Sequence, residues 1–151
     1  MSGQAAVLAS GLKLATELVK VSAADLSGEA LAWAVGEIEG VVLYLDGPRA
    51  YLTDWRVYYR RGGQVSYRIE RYNPQENWTL GGPLADRHCK VFGHNKHVGA
   101  NGEWRTFAYK DGPMLMRLAG GDSILVALCR AIVLLHRGET VLVPKELVSH
   151  G

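Results

Sequence analysis

The spacing of apolar residues changes twice along this chain, and the two changes limit the folds that are open to it. Residues 27–40 and 122–138 carry apolar side chains at helical spacing, whereas residues 41–110 between them alternate with a period of two. Helix, antiparallel strands and helix in this order predict an α+β fold. We expect an antiparallel meander of about four to six strands with two main helices packed on one face.

Capping residues set the expected bounds of both helices. Ser27 is placed to begin the first helix and Gly40 to end it, while Asp122 or Ser123 caps the last helix and Gly138 ends it. One side of the last helix carries a continuous apolar stripe. Its members are Ile124, Leu125, Leu128, Ile132 and Leu135.

Two stretches rich in β-branched and aromatic residues, 55–60 and 65–72, flank a diglycine and predict a hairpin. If residues 62–63 form a two-residue turn, Tyr58 lies opposite Tyr67. The pairing would then leave neither face of the hairpin purely apolar.

A second hairpin is expected between residues 87–92 and 104–109, with a long loop between them. Residues 1–19 form an N-terminal extension with weak helical spacing, and a short strand is expected at 18–21. We expect residues 20–151 to form a single α+β domain.

Composition excludes several classes of protein. A net charge of +2 over 151 residues does not by itself indicate nucleic acid or a membrane surface. Two cysteines, Cys89 and Cys129, lack the spacing of a disulfide framework and are typical of a reducing cytosol. No apolar stretch is long enough to span a bilayer, and the first residues lack a basic leader. We expect a cytoplasmic protein with no membrane partner.

Residues 72–83 hold two aromatic side chains, several amides, a diglycine and two prolines, which predicts a surface loop without regular structure. Tyr72 and Trp78 could enclose a planar ring, and the amides of residues 81–82 could face an anion. Alternatively, both aromatic side chains are core residues beside a structural turn. We favour a ligand site from this loop, neighbouring arginines and the 87–104 loop. Its predicted members are Arg71, Tyr72, Asn73, Asn77, Trp78, Gly81, Gly82, Arg87, His94 and His97.

The first hairpin alternates arginine with tyrosine and is a candidate for binding a partner. Arg56, Tyr58, Arg60 and Tyr67 are the predicted contacts. The alternatives are an ordinary exposed hairpin, whose arginine stems cover apolar surface, and single-stranded nucleic-acid binding. An exposed hairpin edge could also pair two copies into a homodimer.

Metal and catalytic chemistry receive little support from the sequence. His88 and Cys89 are adjacent in a predicted strand and point to opposite faces, so with His94 and His97 they do not form a zinc set. No nucleophile lies beside a base, and no cofactor fingerprint is present. We therefore expect no enzyme activity, no metal and no cofactor.

Three stretches together resemble the phage NinX-like family. They contain Leu-Ala-Trp-Ala-Val at 31–35, the run at 72–83, and Gly-Glu-Thr-Val-Leu-Val-Pro at 138–144. They occur in the family's order across most of residues 20–147. Small hydroxyl residues of the family are replaced at three positions, Asn73, Gln75 and Glu76.

The resemblance implies a phage or prophage accessory protein, and the family brings no agreed activity. With the residue chemistry, it predicts a non-enzymatic protein that binds, and in a counter-defence role sequesters, a small anionic nucleotide-like ligand in the host cytoplasm. The alternative is a module that inhibits a host protein through the tyrosine and arginine hairpin. Single-stranded nucleic-acid binding is the weaker alternative.

Overall fold

A computed structural model describes residues 12–13, 17–48, 53–63, 65–94, 102–110 and 115–148. The helices are α1 (Gly28–Glu39), α2 (Trp78–His88) and α3 (Ile124–Arg137). The strands are β1 (Leu12–Lys13), β2 (Leu18–Ser22), β3 (Leu43–Asp46), β4 (Arg56–Gly62), β5 (Tyr67–Arg71), β6 (Cys89–His94), β7 (Trp104–Lys110), β8 (Leu115–Gly121) and β9 (Thr140–Pro144). Short 3-10 helices lie at Ala23–Asp25 and Lys145–Leu147.

The described strands form three antiparallel sheets, in the orders β1-β3-β4-β5, β2-β9 and β6-β7-β8. The α+β class and the antiparallel pairing are confirmed. The structure divides the expected meander among these sheets and adds a third helix between β5 and β6. Helix α3 packs on β7, β8 and α1, so it joins the second half of the chain to the first.

The core is centred on α3, as its apolar stripe predicts. Leu128 and Ile132 are fully buried, and α3 packs them against the neighbouring sheet and helix. The hydroxyl of Ser123 accepts the Val126 N–H at 3.1 Å, so Ser123 is the cap of this helix. The helix ends at Gly138, whose φ of 83° favours glycine.

Arg130 lies on the same helix, and its guanidinium donates hydrogen bonds to two backbone carbonyl groups. Its Nε donates to the Leu26 carbonyl at 2.7 Å, and a terminal nitrogen donates to the Gly120 carbonyl at 2.9 Å. Buried carbonyl groups need such partners. Arg130 thereby ties α3 to the segment before α1 and to β8.

The first hairpin forms, but the predicted register is wrong. Tyr58 pairs with Arg71, four residues beyond the expected Tyr67, and Tyr67 pairs with Gly62. A two-residue turn would have Gly62 and Gly63 as its central residues. Gly62 instead belongs to β4 and pairs with Tyr67, so a longer connection closes the hairpin. Because the shift is even, each side chain keeps its expected face.

The second hairpin is confirmed by β6 and β7, with His94 paired to Trp104. Arg87, which the sequence places in the first strand of this hairpin, belongs to α2. Residues 12–13 and 18–22 are strands, so the helical spacing of the N-terminal segment is not realised there. Its remaining residues, apart from 17, lie outside the described ranges.

The prediction of a loop over 72–83 is wrong from Trp78 onward, where α2 begins. The Asn77 side chain accepts the Thr79 N–H at 2.9 Å and caps the helix. Pro83 lacks a backbone N–H, and the two glycines lower the helix propensity of this segment. Packing against α3 offsets these losses, and Gly81 makes that packing possible because a larger residue would not fit at its position. Tertiary packing thus overrides weak helix propensity.

Candidate functional site

A cleft of about 510 Å³ opens where α2, β7 and α3 begin. We call it the tryptophan cleft. Three segments that are distant in sequence meet in its wall: the turn after β5 with the start of α2, the start of β7, and the residues around the start of α3. The lining residues are Gln75, Glu76, Trp78, Trp104, Asp122, Ser123, Ile124, Leu125 and Val126.

Two indole rings face this cleft. Trp78 is the first residue of α2 and is 56% exposed, although large aromatic side chains are usually buried to a greater extent. Trp104 is half-buried, and its ring meets that of His94 edge to face, with the centroids 4.8 Å apart. The ring of Trp104 is therefore held in place by His94, while the ring of Trp78 is exposed to solvent and can contact a ligand.

The turn before α2 is built by two predicted site residues. The Asn73 carbonyl accepts the N–H groups of Glu76 and Asn77 at 3.1 and 3.0 Å, and Asn77 then caps α2. The Asn73 side chain also donates to a Glu76 carboxylate oxygen at 3.0 Å. Both asparagines thus shape the turn, and neither lines the cleft.

The predicted anion cradle at Gly81 and Gly82 is not formed, because both residues are helical. The Gly81 N–H donates to the Asn77 carbonyl at 2.8 Å and is not free for a ligand. Gly81 instead permits close packing. A Cβ at this position would lie 2.5 Å from Leu125 Cδ2 and 2.6 Å from the Pro74 carbonyl oxygen.

Arg71 and Tyr72 do not line the cleft, but Arg71 contacts a residue that does, because its guanidinium lies 3.8 Å from a Glu76 carboxylate oxygen. Arg71 donates to one Glu29 carboxylate oxygen at 2.6 Å, and the other accepts the Val57 N–H at 2.8 Å. Tyr72 is buried, and its ring meets that of Tyr59 edge to face. Tyr72 is thus a core residue, which was the alternative interpretation, while Arg71 joins α1 to β5.

The remaining predicted ligand residues fall at three different places. Arg87 pairs with Glu39 at the end of α1. His94 pairs with the exposed Glu103, with 2.9 Å between His94 Nε2 and the carboxylate, and it supports Trp104. His97 lies outside the described residues. Trp78 is therefore the one predicted ligand residue that lines the described cleft, and His94 reaches it through Trp104.

Gln75 and Trp104 are cleft residues that the sequence prediction missed. Gln75 is only 4% exposed, and neither polar atom of its amide has a hydrogen-bond partner among the described residues. Buried polar groups in folded proteins are nearly always paired. Gln75 could have been predicted as a site residue from its position inside the run 72–83. Nothing in the sequence indicates that Trp104 lies beside that run.

The charge of the cleft is acidic. Glu76 and Asp122 are in its lining, and no described lining residue is lysine or arginine. The start of α3 contributes roughly half a positive charge. The Arg71 guanidinium, 3.8 Å from a Glu76 carboxylate oxygen, offsets part of the Glu76 charge. The net charge around the cleft is therefore weakly negative and favours a neutral or cationic group over an anionic one.

The hairpin residues predicted to bind a partner lie outside the cleft lining. Arg56, Tyr58 and Arg60 alternate along β4 and so share one face. The Arg60 guanidinium lies 5.3 Å from the centroid of the Tyr67 ring, which is half exposed. The structure therefore brings Arg60 and Tyr67 into a cation–π contact on an open surface.

A cluster of titratable side chains lies where the three helices end. His88 Nε2 is 2.8 Å from a Glu39 carboxylate oxygen, and the rings of His88 and His136 meet edge to face. The hydrogen bond from His88 holds the pKa of Glu39 below its ordinary value of 4.5. Burial, assisted by neighbouring cations, lowers the pKa of His136 below 6.5.

We expect this cluster to make the fold less stable in acid. Because the folded protein binds a proton at His136 less readily than the unfolded chain does, stability falls as the pH drops below 6.5. The stabilisation from Glu39 is present above pH 4.5 and is lost as the pH falls through its lowered pKa. Melting temperatures measured between about pH 8 and about pH 3 test both steps.

His136→Gln should shrink the first part of this decline. His94→Gln is the matched control, because His94 pairs with an exposed glutamate and has no buried ring nitrogen of this kind. Identical pH profiles for His136→Gln and the wild type would contradict the assignment to His136.

Neither a membrane helix nor a metal cluster is found in the described part of the chain. None of its helices is both long and apolar enough to cross a bilayer. No group of three histidine, cysteine or acidic residues is placed there to hold a metal ion.

Comparison with known proteins gives one family match. The model of the family described as "Bacteriophage P22, NinX" matches residues 22–136, which include α1, α2 and nearly all of α3. Comparison with curated proteins gives no match. The matched range contains every residue that lines the tryptophan cleft.

Proposed function

The chain belongs to the bacteriophage P22 NinX family, and from this premise we propose that it is a phage accessory protein that binds a small planar ligand in the tryptophan cleft. The observation that carries the proposal is the meeting of two indole rings from different parts of the chain at one cleft, with Trp78 more than half exposed. Exposed aromatic surface of this kind is typical of binding sites.

A base-like ring is the ligand that suits the two indoles. Stacking of a base on an aromatic side chain contributes about 1–3 kcal/mol. The cleft volume also lies within the range of about 300–1,000 Å³ that is usual for small-molecule sites. A nucleotide-like molecule therefore remains our proposal, with its base in the cleft.

The acidic lining changes the expected orientation of such a ligand. Asp122 would repel a phosphate placed among the lining residues, and Glu76 would add a weaker repulsion because Arg71 offsets part of its charge. We place the phosphate, where there is one, at the mouth of the cleft and turned to solvent. A nucleoside should accordingly bind at least as tightly as its nucleotide, and added salt should narrow any difference between them.

Binding without catalysis is the proposed activity. The lining offers indoles, an amide, two carboxylates and the Ser123 hydroxyl, which caps α3, and its described residues include no cysteine, histidine or lysine. In a host bacterial cytoplasm, a protein of this kind would act by sequestering a signal molecule and lowering its free concentration. This counter-defence role depends on affinity and amount, and it requires no turnover.

Trp78→Ala tests the proposed site. We expect wild-type protein to gain melting temperature with nucleosides or nucleotides from a panel, because a ligand that binds only the folded state stabilises it. The variant should lose this gain, with affinity about fivefold or more weaker, since it lacks one stacking partner. Differential scanning fluorimetry and isothermal titration calorimetry measure the two effects.

Tyr67→Ala is the matched control for this experiment. Tyr67 is an aromatic residue of similar exposure, at 50%, and it lies on the hairpin outside the cleft lining. Its replacement should leave ligand binding unchanged. No ligand-induced shift in the wild type across the panel, or equal binding by Trp78→Ala, would overturn the proposal.

A second candidate function is supported by the hairpin surface. Arg60 over the exposed ring of Tyr67, with Arg56 and Tyr58 on the face of Arg60, supplies residue types that dominate protein interfaces. We infer a contact surface for a host protein or for a second copy of the chain. Size-exclusion chromatography and pull-down with Arg60→Ala test it. Trp78→Ala is the control that should retain this binding.

A further inference from the structure

The amide of Gln75 is the unusual polar group of the tryptophan cleft. The residue is only 4% exposed, and neither Nε2 nor Oε1 has a hydrogen-bond partner among the described residues. Folded proteins rarely leave both halves of a buried amide unpaired. A group with this property at the wall of a cleft is a candidate for contacting a ligand.

The surroundings of Gln75 allow such a contact. Pro74, the preceding residue, is fully buried and sets the start of the turn, whereas Trp78 in the next turn of the chain is exposed. The Gln75 amide is attached through rotatable side-chain bonds. A change of rotamer can therefore turn it toward the cleft that its residue lines, while the backbone stays in place.

We propose that Gln75 selects the ligand by pairing with a ring edge that carries a hydrogen-bond donor beside an acceptor. This inference rests on the proposed function, because the ring must first lie in the tryptophan cleft. A glutamine amide offers both a donor and an acceptor, so one such edge can satisfy both of its halves. The amino-nitrogen edge of adenine and the lactam edge of uracil have this pattern.

The other lining groups do not supply this recognition. Glu76 and Asp122 only accept hydrogen bonds when ionised. The Ser123 hydroxyl accepts the Val126 N–H and keeps its O–H donor, but its single oxygen cannot match a donor and an acceptor at two neighbouring ring positions. Of the described lining side chains, Gln75 alone carries an amide. In this proposal the indoles give affinity for any planar ring, and the hydrogen bonds of Gln75 give specificity for one type of ring edge.

Gln75→Met separates recognition from folding. Methionine has similar length and no amide, so it removes an unpaired buried group without opening a cavity. We expect the ligand-free melting temperature to rise by about 2–4 °C. The affinity for uridine or adenosine should fall at least about fivefold, because the hydrogen bonds between the Gln75 amide and the ring edge are lost. Quenching of tryptophan fluorescence and calorimetry measure the affinities.

Methylated probes provide the matched control. N3-methyluridine and N6,N6-dimethyladenosine keep their stacking faces but have no hydrogen on the nitrogen that donates in the parent nucleosides. Wild type should bind them at least about fivefold more weakly than the parent nucleosides, whereas Gln75→Met should bind both forms alike.

Two results would overturn this inference alone. They are a lower melting temperature for Gln75→Met, which would make the amide structural, and equal binding of parent and methylated nucleosides by the wild type. In the second case the proposed function survives, because rings still bind. If no ring binds the wild type at all, the proposed function fails, and the selection by Gln75 fails with it.

Discussion

Glu29→Ala should lower the free energy of unfolding by about 2–3 kcal/mol, because its carboxylate connects α1 to both β4 and β5. Its oxygens accept the buried Val57 N–H at 2.8 Å and the Arg71 guanidinium at 2.6 Å. Alanine leaves the Val57 N–H without this acceptor and Arg71 without its closest carboxylate. The ion pair is partly exposed, which keeps the expected loss below that of a fully buried pair. Urea unfolding followed by circular dichroism measures it.

Glu70→Ala is the matched control for Glu29→Ala. Glu70 also contacts two arginines, Arg61 at 3.2 Å and Arg68 at 3.7 Å, but both of these side chains are exposed. Exposed ion pairs contribute about 0–1 kcal/mol, so this variant should remain close to wild type. Equal losses of unfolding free energy for Glu29→Ala and Glu70→Ala would show that neither burial nor the Val57 hydrogen bond adds to the stabilisation by Glu29.

Gly81→Ala should destabilise the protein by about 1–3 kcal/mol although alanine favours helix. The added Cβ would lie 2.6 Å from the Pro74 carbonyl oxygen, which is backbone and cannot swing away, and 2.5 Å from Leu125 Cδ2. Helix α2 would have to move away from α3. Since Leu125 and the turn after Pro74 line the tryptophan cleft, ligand binding should weaken with stability. Thermal unfolding and the nucleoside titration measure both effects.

The neighbouring glycine gives a different expectation. Chain neighbours apart, a Cβ at Gly82 would meet nothing within 4 Å, and the residue has no positive φ. The gain in helix propensity, about 0.5–1 kcal/mol, is opposed by crowding of the new Cβ against the ring of Pro83, so Gly82→Ala should stay close to wild type. A loss of stability for Gly82→Ala as large as that for Gly81→Ala would contradict the packing explanation for Gly81.

The elements that could be predicted from the sequence are those in which apolar spacing and capping residues indicate the same bounds. In α3 the apolar stripe, the Ser123 cap and the final Gly138 all indicate the same bounds, and the structure has them. The hairpin of β4 and β5 was predictable as an element. Its register was not, because a glycine can either form the turn or continue the strand, and Gly62 continues β4 and pairs with Tyr67.

Helix α2 shows why the rest could not be predicted. Its residues 81–83 each disfavour a helix by their intrinsic propensity. The fit of Gly81 against Leu125 outweighs that propensity, and residues so far apart in sequence give no local sign of the contact. The same holds for the cleft. Trp78 was predictable from its own segment, while Trp104 becomes a site residue only because β7 starts beside α3.

The starts of α2 and α3 form part of the wall of the tryptophan cleft, and this sets a limit on how long a ligand can stay bound. The first turn of a helix is the part that opens most readily. Opening at either start would remove Trp78 from one side of the cleft or residues 124–126 from the other. For the proposed ligand, fraying of one helical turn and escape from the cleft would then be a single event, so its residence time should depend on the caps at Asn77 and Ser123.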